Sequence, residues 1–284
     1  MNKIGFIGLG VMGFLMAGHL SKKYPVIAYN RSLEKAQKWG QTYSGQATSK
    51  LADLADCDLV CLCVGKDEDV KENITQLVPL LKQGSIIVDH TTASADIEIE
   101  MAAFCTQYGI EYLDAPVSGG QAGAENGVLT IMVGGDEQIL EKAKPILSVY
   151  AKQITHMGGT GKGQIAKMVN QVLLTGILQG LAEGLTLAQK GGLDIIKLRD
   201  ALKEGAAGSW QLENRAQTMA EGKFDFGFAL DLMRKDLDIV ENYAKKAGVL
   251  LPVTKMVHDF YDELSVGGDG RLDTSALIKR LKVS

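Results

Sequence analysis

An apolar run ends in three spaced glycines and a helical pattern follows at once: KIGFIGLGVMG, residues 3–13. Few features restrict a fold so strongly. Gly8 permits a tight turn, Gly10 lets a ligand approach bare backbone, and Gly13 lets a helix pack against the strand before it. Leu9, Val11 and Met12 complete the turn, where the N–H groups of a helix N-terminus are free to meet phosphate oxygens. A junction of this kind is a dinucleotide fingerprint. Glycines that merely make a tight turn are the competing account, and the strand-to-helix placement favours the fingerprint.

The end of the second apolar run decides which dinucleotide. An acidic residue there would hold the ribose hydroxyls of NAD. This chain has Asn30, Arg31 and Ser32 instead. Asn30 removes the carboxylate that would repel a 2′-phosphate, Arg31 offers a planar fork, and Ser32 adds a hydroxyl. NADP is therefore the expected cofactor, with NAD bound at lower affinity. The alternative is that Arg31 is a helix-start cation and Asn30 a turn residue.

Short apolar runs at 3–7, 26–29, 58–64, 85–89, 111–113, 130–133 and 153–156 alternate with amphipathic stretches at 11–22, 69–81, 95–108 and 137–149. This alternation predicts an α/β, doubly wound, mainly parallel sheet covered on both faces. After residue 162 no strand pattern remains. Helical spacing runs from 164 to 190, then at 194–204, 209–220, 228–247, 252–266 and 274–281. Two domains follow: 1–162, dinucleotide-binding, and 163–284, all-helical and beginning with a long helix.

Composition narrows the function. With 34 acidic and 30 basic side chains the net charge is −4, which argues against a nucleic-acid surface. No leader pattern and no run of about 18 uninterrupted apolar residues occurs, so a cytoplasmic chain without a membrane span is expected. Cys57, Cys61, Cys63 and Cys105 lack the spacing and histidine neighbours of a metal cluster and read as small buried hydrophobes. Glycine is abundant, 33 residues, and the surplus asks to be located.

Two further glycine-containing segments carry candidate chemistry. DAPVSGG (114–120) follows the run at 111–113 and so belongs beyond a strand's carboxyl end, beside the cofactor. Ser118 supplies a hydroxyl, while Gly119 and Gly120 can bring N–H groups to a carboxylate. A turn without a ligand is the plain alternative. GKGQIAKMVNQ (161–171) opens the long helix and sets Lys167, Asn170 and Gln171 on one face. A lysine near a helix N-terminus opposes the dipole, which should lower its pKa and suit it to proton exchange. Alone it would read as a solvated cation; with the two glycine motifs it reads as the acid/base. Val169, Val172 and Leu173 are expected to pack elsewhere.

These motifs, together with DHTTAS (89–94) and LMRKDL (232–237), resemble the β-hydroxyacid dehydrogenase family, which contains 3-hydroxyisobutyrate dehydrogenase and the glyoxylate and succinic semialdehyde reductases. The resemblance spans essentially the whole chain. It implies a Rossmann-type domain followed by a helical one. It also implies Lys167 as general acid/base, Ser118, Gly119 and Gly120 around the substrate carboxylate, and Thr92 at nicotinamide and substrate. Val64 would lie near the adenosine, and Lys235 with Asp236 would close on the cofactor. Gln171 stands where many members have asparagine, and Thr91 where serine is common. The implied reaction is hydride transfer between NADP and a small carboxylated aldehyde or β-hydroxyacid.

Other residues read more plainly. His19, His90, His156 and His258 are scattered and read as isolated surface or capping residues, with no metal site expected. Trp210, Phe224, Phe226 and Phe228 are expected in the core, with a place at the substrate mouth as the alternative. Leu173, Leu174, Ile177, Leu178 and Leu181 make the long helix apolar on more than one face, pointing to a homodimer or homotetramer or to a large helical core. A catalytically silent cofactor sensor and an imine reductase are the rival functions. Imine reductases generally lack a lysine at the position of Lys167, and a sensor would need neither it nor the Ser118 loop.

Overall fold

The computed structural model describes residues 3–281. The chain divides into two compact units, 1–167 and 168–284. In the first, nine strands form one sheet: β1 Ile4–Ile7, β2 Val26–Tyr29, β3 Gln46–Thr48, β4 Leu59–Leu62, β5 Ile86–Asp89, β6 Glu111–Asp114, β7 Val117–Ser118, β8 Leu129–Gly135 and β9 Ala151–Gly158. Their order is β3-β2-β1-β4-β5-β6-β8-β7, with β9 also on β8. The first six run parallel. β8 is antiparallel to β6 and β7 but parallel to β9.

Six helices cover this sheet: α1 Val11–Ser21, α2 Leu33–Thr42, α3 Asp67–Leu77, α4 Ala95–Gln107, α5 Gly120–Glu125 and α6 Glu137–Leu147. Strand residues alternate between two cores. Ile4 and Phe6 join Met16, Leu20 and Trp39, whereas Ile7 joins Val60, Leu62 and Ile74. Burial on both faces explains why these strands read as continuous apolar runs. The strand order reverses direction at β1 and β4, so the crevice at their carboxyl ends is where such sheets bind ligands.

Helix α7, Lys162–Lys190, starts in the first unit and continues through the second. Then come α8 Ile195–Leu202, α9 Trp210–Glu221, α10 Leu230–Ala247 and α11 Pro252–Leu264. By length and composition alone α7 could cross a bilayer. Its buried Leu178, Ala182, Leu185 and Ala188 are equally what a core helix supplies. Val169 and Leu173, expected to be packed, are instead 55% and 61% exposed, and Ile177 is 42% exposed.

Other expectations change as well. The segment at 274–281 winds as 3₁₀ turns, begun by Asp273, whose carboxylate accepts from the Ser275 N–H and hydroxyl. Trp210 and Phe226 are exposed rather than in the core, stacked 4.9 and 4.8 Å from the Arg215 guanidinium; Phe224 is buried. Of the histidines, His19 does cap, at the last carbonyls of α5, and the others are partnered rather than isolated. His19 lies against Ala124 O, His156 against Gly135 O, and the buried His258 against Glu241. His90 is buried in the first unit, with Nδ1 2.6 Å from Ala115 O and Nε2 2.7 Å from the Tyr150 hydroxyl. Burial lowers its pKa to about 4. Burial also pushes the thiols up, Cys57 to about 11 and Cys61 and Cys105 to about 12, and all three are buried.

Candidate active site

The turn after β1 is shaped by what its glycines exclude. Gly8 has φ +93°, and a Cβ there would fall 2.1 Å from Cys63 O. A Cβ on Gly13 would fall 1.9 Å from Gly8 O, so α1 rests directly on the turn. At Gly10 a Cβ would meet nothing within 4 Å. That side is open, and Gly10 N-caps α1 without a side-chain hydrogen bond. Gly10 and Val11 are exposed, Met12 is half-buried and Leu9 is buried. An uncapped helix start beside open space fits a dinucleotide pyrophosphate.

The end of β2 is tied to that turn. Asn30 Oδ1 accepts from Leu9 N–H at 3.0 Å, and its amide donates to Ser32 O at 3.3 Å. Arg31 stands at the surface, its side chain 80% exposed and 3.9 Å from Glu72. An exposed pair at that distance holds little energy, so the guanidinium can exchange it for phosphate. Val64 is half-buried on the other flank, its N–H donating to Thr91 Oγ1. These residues suit the adenosine half of the cofactor.

The remaining candidates of the first unit gather at α7. Lys167 is 8% exposed, and its Nζ donates to Val117 O at 2.8 Å. Val117 directly precedes Ser118, Gly119 and Gly120, so the amine and this loop are neighbours. The start of α7 is anchored from below. Asp114 accepts from Gly161 N–H at 2.7 Å and from Gln164 N–H at 3.0 Å, which caps the helix and offsets its dipole. A Cβ on Gly163 would fall 2.8 Å from Asp114 Oδ2, so only glycine leaves room for that carboxylate. Thr92 is half-buried in the loop after β5, between Thr91 and Ala93.

Buried acids surround this anchor. Tyr112 hydroxyl donates to Glu98 Oε2 at 2.6 Å and lies 3.3 Å from Asp89 Oδ2. Burial, then the charges of Asp89 and Asp114, hold Glu98 well above the usual carboxylate range. Burial lifts Asp89 to about 7, against its hydrogen bonds from Thr91 and Tyr112. Asp114 is also raised by burial. None of Asp89, Glu98, Tyr112 or Gln164 was singled out by sequence. Asp89 and Gln164 do lie inside the motifs DHTTAS and GKGQIAKMVNQ, whereas Glu98 and Tyr112 lie in no such motif.

In the helical unit the candidates form a hydrogen-bonded chain. Asn170 Nδ2 donates to Gln171 Oε1 at 2.7 Å, and Gln171 Nε2 donates to Asp236 Oδ2 at 2.6 Å. Lys235 Nζ lies 3.1 Å from Asp236 Oδ1. Gln171 and Asp236 are 1% and 2% exposed, so Asp236 acts as a buried anchor.

A glycine turn opening a helix on a doubly wound sheet, followed by a helical unit, is the architecture of a dinucleotide-binding protein. Residues 3–159 match the family described as the NAD binding domain of 6-phosphogluconate dehydrogenase. Residues 161–281 match that described as NAD-binding of NADP-dependent 3-hydroxyisobutyrate dehydrogenase. An uncharacterized oxidoreductase of Shewanella frigidimarina is 48% identical over 289 residues, covering 100% of this chain and 99% of that protein. The 2-(hydroxymethyl)glutarate dehydrogenase of Eubacterium barkeri is 38% identical over 98% of this chain and 94% of its own. The structure of Mycobacterium tuberculosis 3-hydroxyisobutyrate dehydrogenase with L-serine superposes with a TM-score of 0.91 at 30% identity, covering 100% of both chains. The chain belongs to the β-hydroxyacid dehydrogenase family.

Proposed function

We propose that this NAD(P)-dependent dehydrogenase prefers NADP and interconverts a small carboxylated aldehyde with its hydroxyacid, using Lys167 as general acid/base. The observation that carries this reading is the buried Lys167 amine, 2.8 Å from Val117 O and next to the Ser118 loop. When bound, the reduced nicotinamide supplies the hydride. As the carbonyl carbon gains it, Lys167 Nζ gives a proton to the aldehyde oxygen; the C=O π bond breaks, and C–H and O–H bonds form. The reverse direction returns that proton to a neutral Lys167. Ser118 hydroxyl and the Gly119 and Gly120 N–H groups hold the substrate carboxylate, with Thr92 beside the reacting centre. Asn170 and Gln171 hold polar groups on the helix that carries Lys167, and Asp236 fixes the Gln171 amide. Lys235 is the cofactor cation of the helical unit. Preorganised donors of this sort need no rearrangement as charge shifts.

The test is consumption of NADPH absorbance with glyoxylate, succinic semialdehyde and tartronate semialdehyde, and the reverse reaction with 3-hydroxyisobutyrate. Turnover with at least one of them is expected. Lys167→Ala should lower kcat by about 10²–10⁴-fold while NADPH still binds. Full turnover by Lys167→Ala would end the mechanism. Tight NADPH binding without turnover on any acid-aldehyde would favour a cofactor sensor.

A further inference from the structure

Gln164 is fully buried three residues before Lys167, and its backbone N–H and both ends of its side-chain amide are engaged. Its backbone N–H donates to Asp114. Its side-chain Nε2 donates to Thr91 O at 2.7 Å and to Glu98 Oε1 at 2.8 Å, while its Oε1 accepts from Ala93 N–H at 3.2 Å. Thr91 O and Ala93 N–H are the backbone groups on either side of Thr92. One side-chain amide therefore clasps the Thr92 loop from both sides, and its own backbone belongs to the first turn of α7.

We infer that Gln164 is a positioning residue that sets the Lys167 amine and the Thr92 loop in one fixed register. Glu98 completes the device by holding the far N–H of the same amide, and Tyr112 holds Glu98. No apolar side chain could replace it without leaving Thr91 O and Ala93 N–H buried and unpaired. A small displacement of an acid/base group costs rate rather than binding, because reaction demands closer geometry than association. The inference rests on Lys167 being the proton donor and acceptor.

Three variants test it, each assayed for kcat, substrate KM, NADPH affinity and pH profile. Gln164→Leu should lower kcat about 10- to 100-fold, with NADPH affinity within about twofold of the parent. In a Lys167→Ala background the same substitution should cost almost nothing further, because there is no amine left to place. Gln164→Glu keeps the size and the bond from Ala93 and guards against a misfolded leucine variant. Facing Asp89, Glu98, Tyr112 and Asp114, and with Lys167 one turn on, its carboxyl keeps a donor only while protonated. Its kcat should therefore show a new loss as pH rises. Wild-type kcat and an unchanged pH profile in a folded Gln164→Leu or Gln164→Glu enzyme would overturn the inference, leaving the Lys167 reading intact if Lys167→Ala is inactive. An active Lys167→Ala removes both.

Discussion

Asn30 Oδ1 accepts a hydrogen bond from Leu9 N–H, joining the end of β2 to the glycine turn across 21 residues. One side chain thus shapes the glycine turn and, in the function proposed above, sets the charge met by the adenosine ribose.

Asn30→Asp separates those roles. An aspartate can still accept from Leu9, so the turn survives, but its charge opposes a 2′-phosphate. The ratio of kcat/KM for NADPH over NADH should fall at least about tenfold, the equivalent of ~1.4 kcal/mol. Arg31→Ala should shift the ratio the same way. An unchanged ratio in both would remove the case for NADP preference.

Asp236→Ala should destabilise the helical unit. Lys235 can turn to solvent, but Gln171 Nε2 loses its carboxylate partner and keeps, among the described residues, the weak acceptor Met233 sulfur 3.7 Å away. A buried donor left unmatched costs about 1–3 kcal/mol. Urea unfolding midpoints should fall accordingly, and Asp236→Asn, which keeps an acceptor, should fall less.

Stability should carry opposed pH dependences. His90 titrates near 4 in the fold and near 6.5 when unfolded, so the stability it contributes is lost as pH falls from about 6.5 towards 4. Asp89 is raised from 3.8 to about 7, so its contribution is present at low pH and is lost as pH rises through about 7. Glu98 acts in the same sense. Between pH 4 and 6.5 His90 partly cancels the acids. His90→Gln should therefore make stability fall more steeply with rising pH, as read from denaturation midpoints at several pH values. Equal slopes would show that His90 is not the opposing group.

The exposed stripe Val169, Leu173 and Ile177 follows one face of α7 at four-residue intervals. We read it as a self-association surface. Leu173→Glu and Ile177→Glu together should reduce the mass measured by light scattering to that of a single chain. A wild-type chain that is already monomeric would refute this.

Much of this was legible because it is local. The Gly8, Gly10 and Gly13 turn is written within six residues, and the parallel strands β1, β2, β4 and β5 announce themselves as apolar runs, whereas β3, the polar Gln46–Thr48, does not. β7 was not legible, since two residues make no pattern. Nor were the partners of Gln164, which lie 50 to 73 residues away and meet only when β5, β6, α4 and α7 are assembled. Asp114 belongs by its sequence to the loop after the run at 111–113, whereas its carboxylate accepts from the start of α7, 47 residues later. His90 reads from sequence as an isolated surface or capping residue because its partners, Ala115 O and the Tyr150 hydroxyl, lie 25 and 60 residues away.

The three buried thiols give this fold an internal clock. Cys57 leads into β4, Cys61 lies within it, and Cys105 sits on α4. A thiol reagent attacks the thiolate, and burial denies these sulfurs both that charge and access to the reagent. Alkylation at neutral pH should therefore wait on opening of the protein rather than on the chemistry of sulfur. If α4 lifts away before the sheet comes apart, Cys105 is labelled ahead of Cys61; if the unit opens all at once, the two are consumed together. The order of their loss would time the steps by which the nucleotide-binding sheet comes undone.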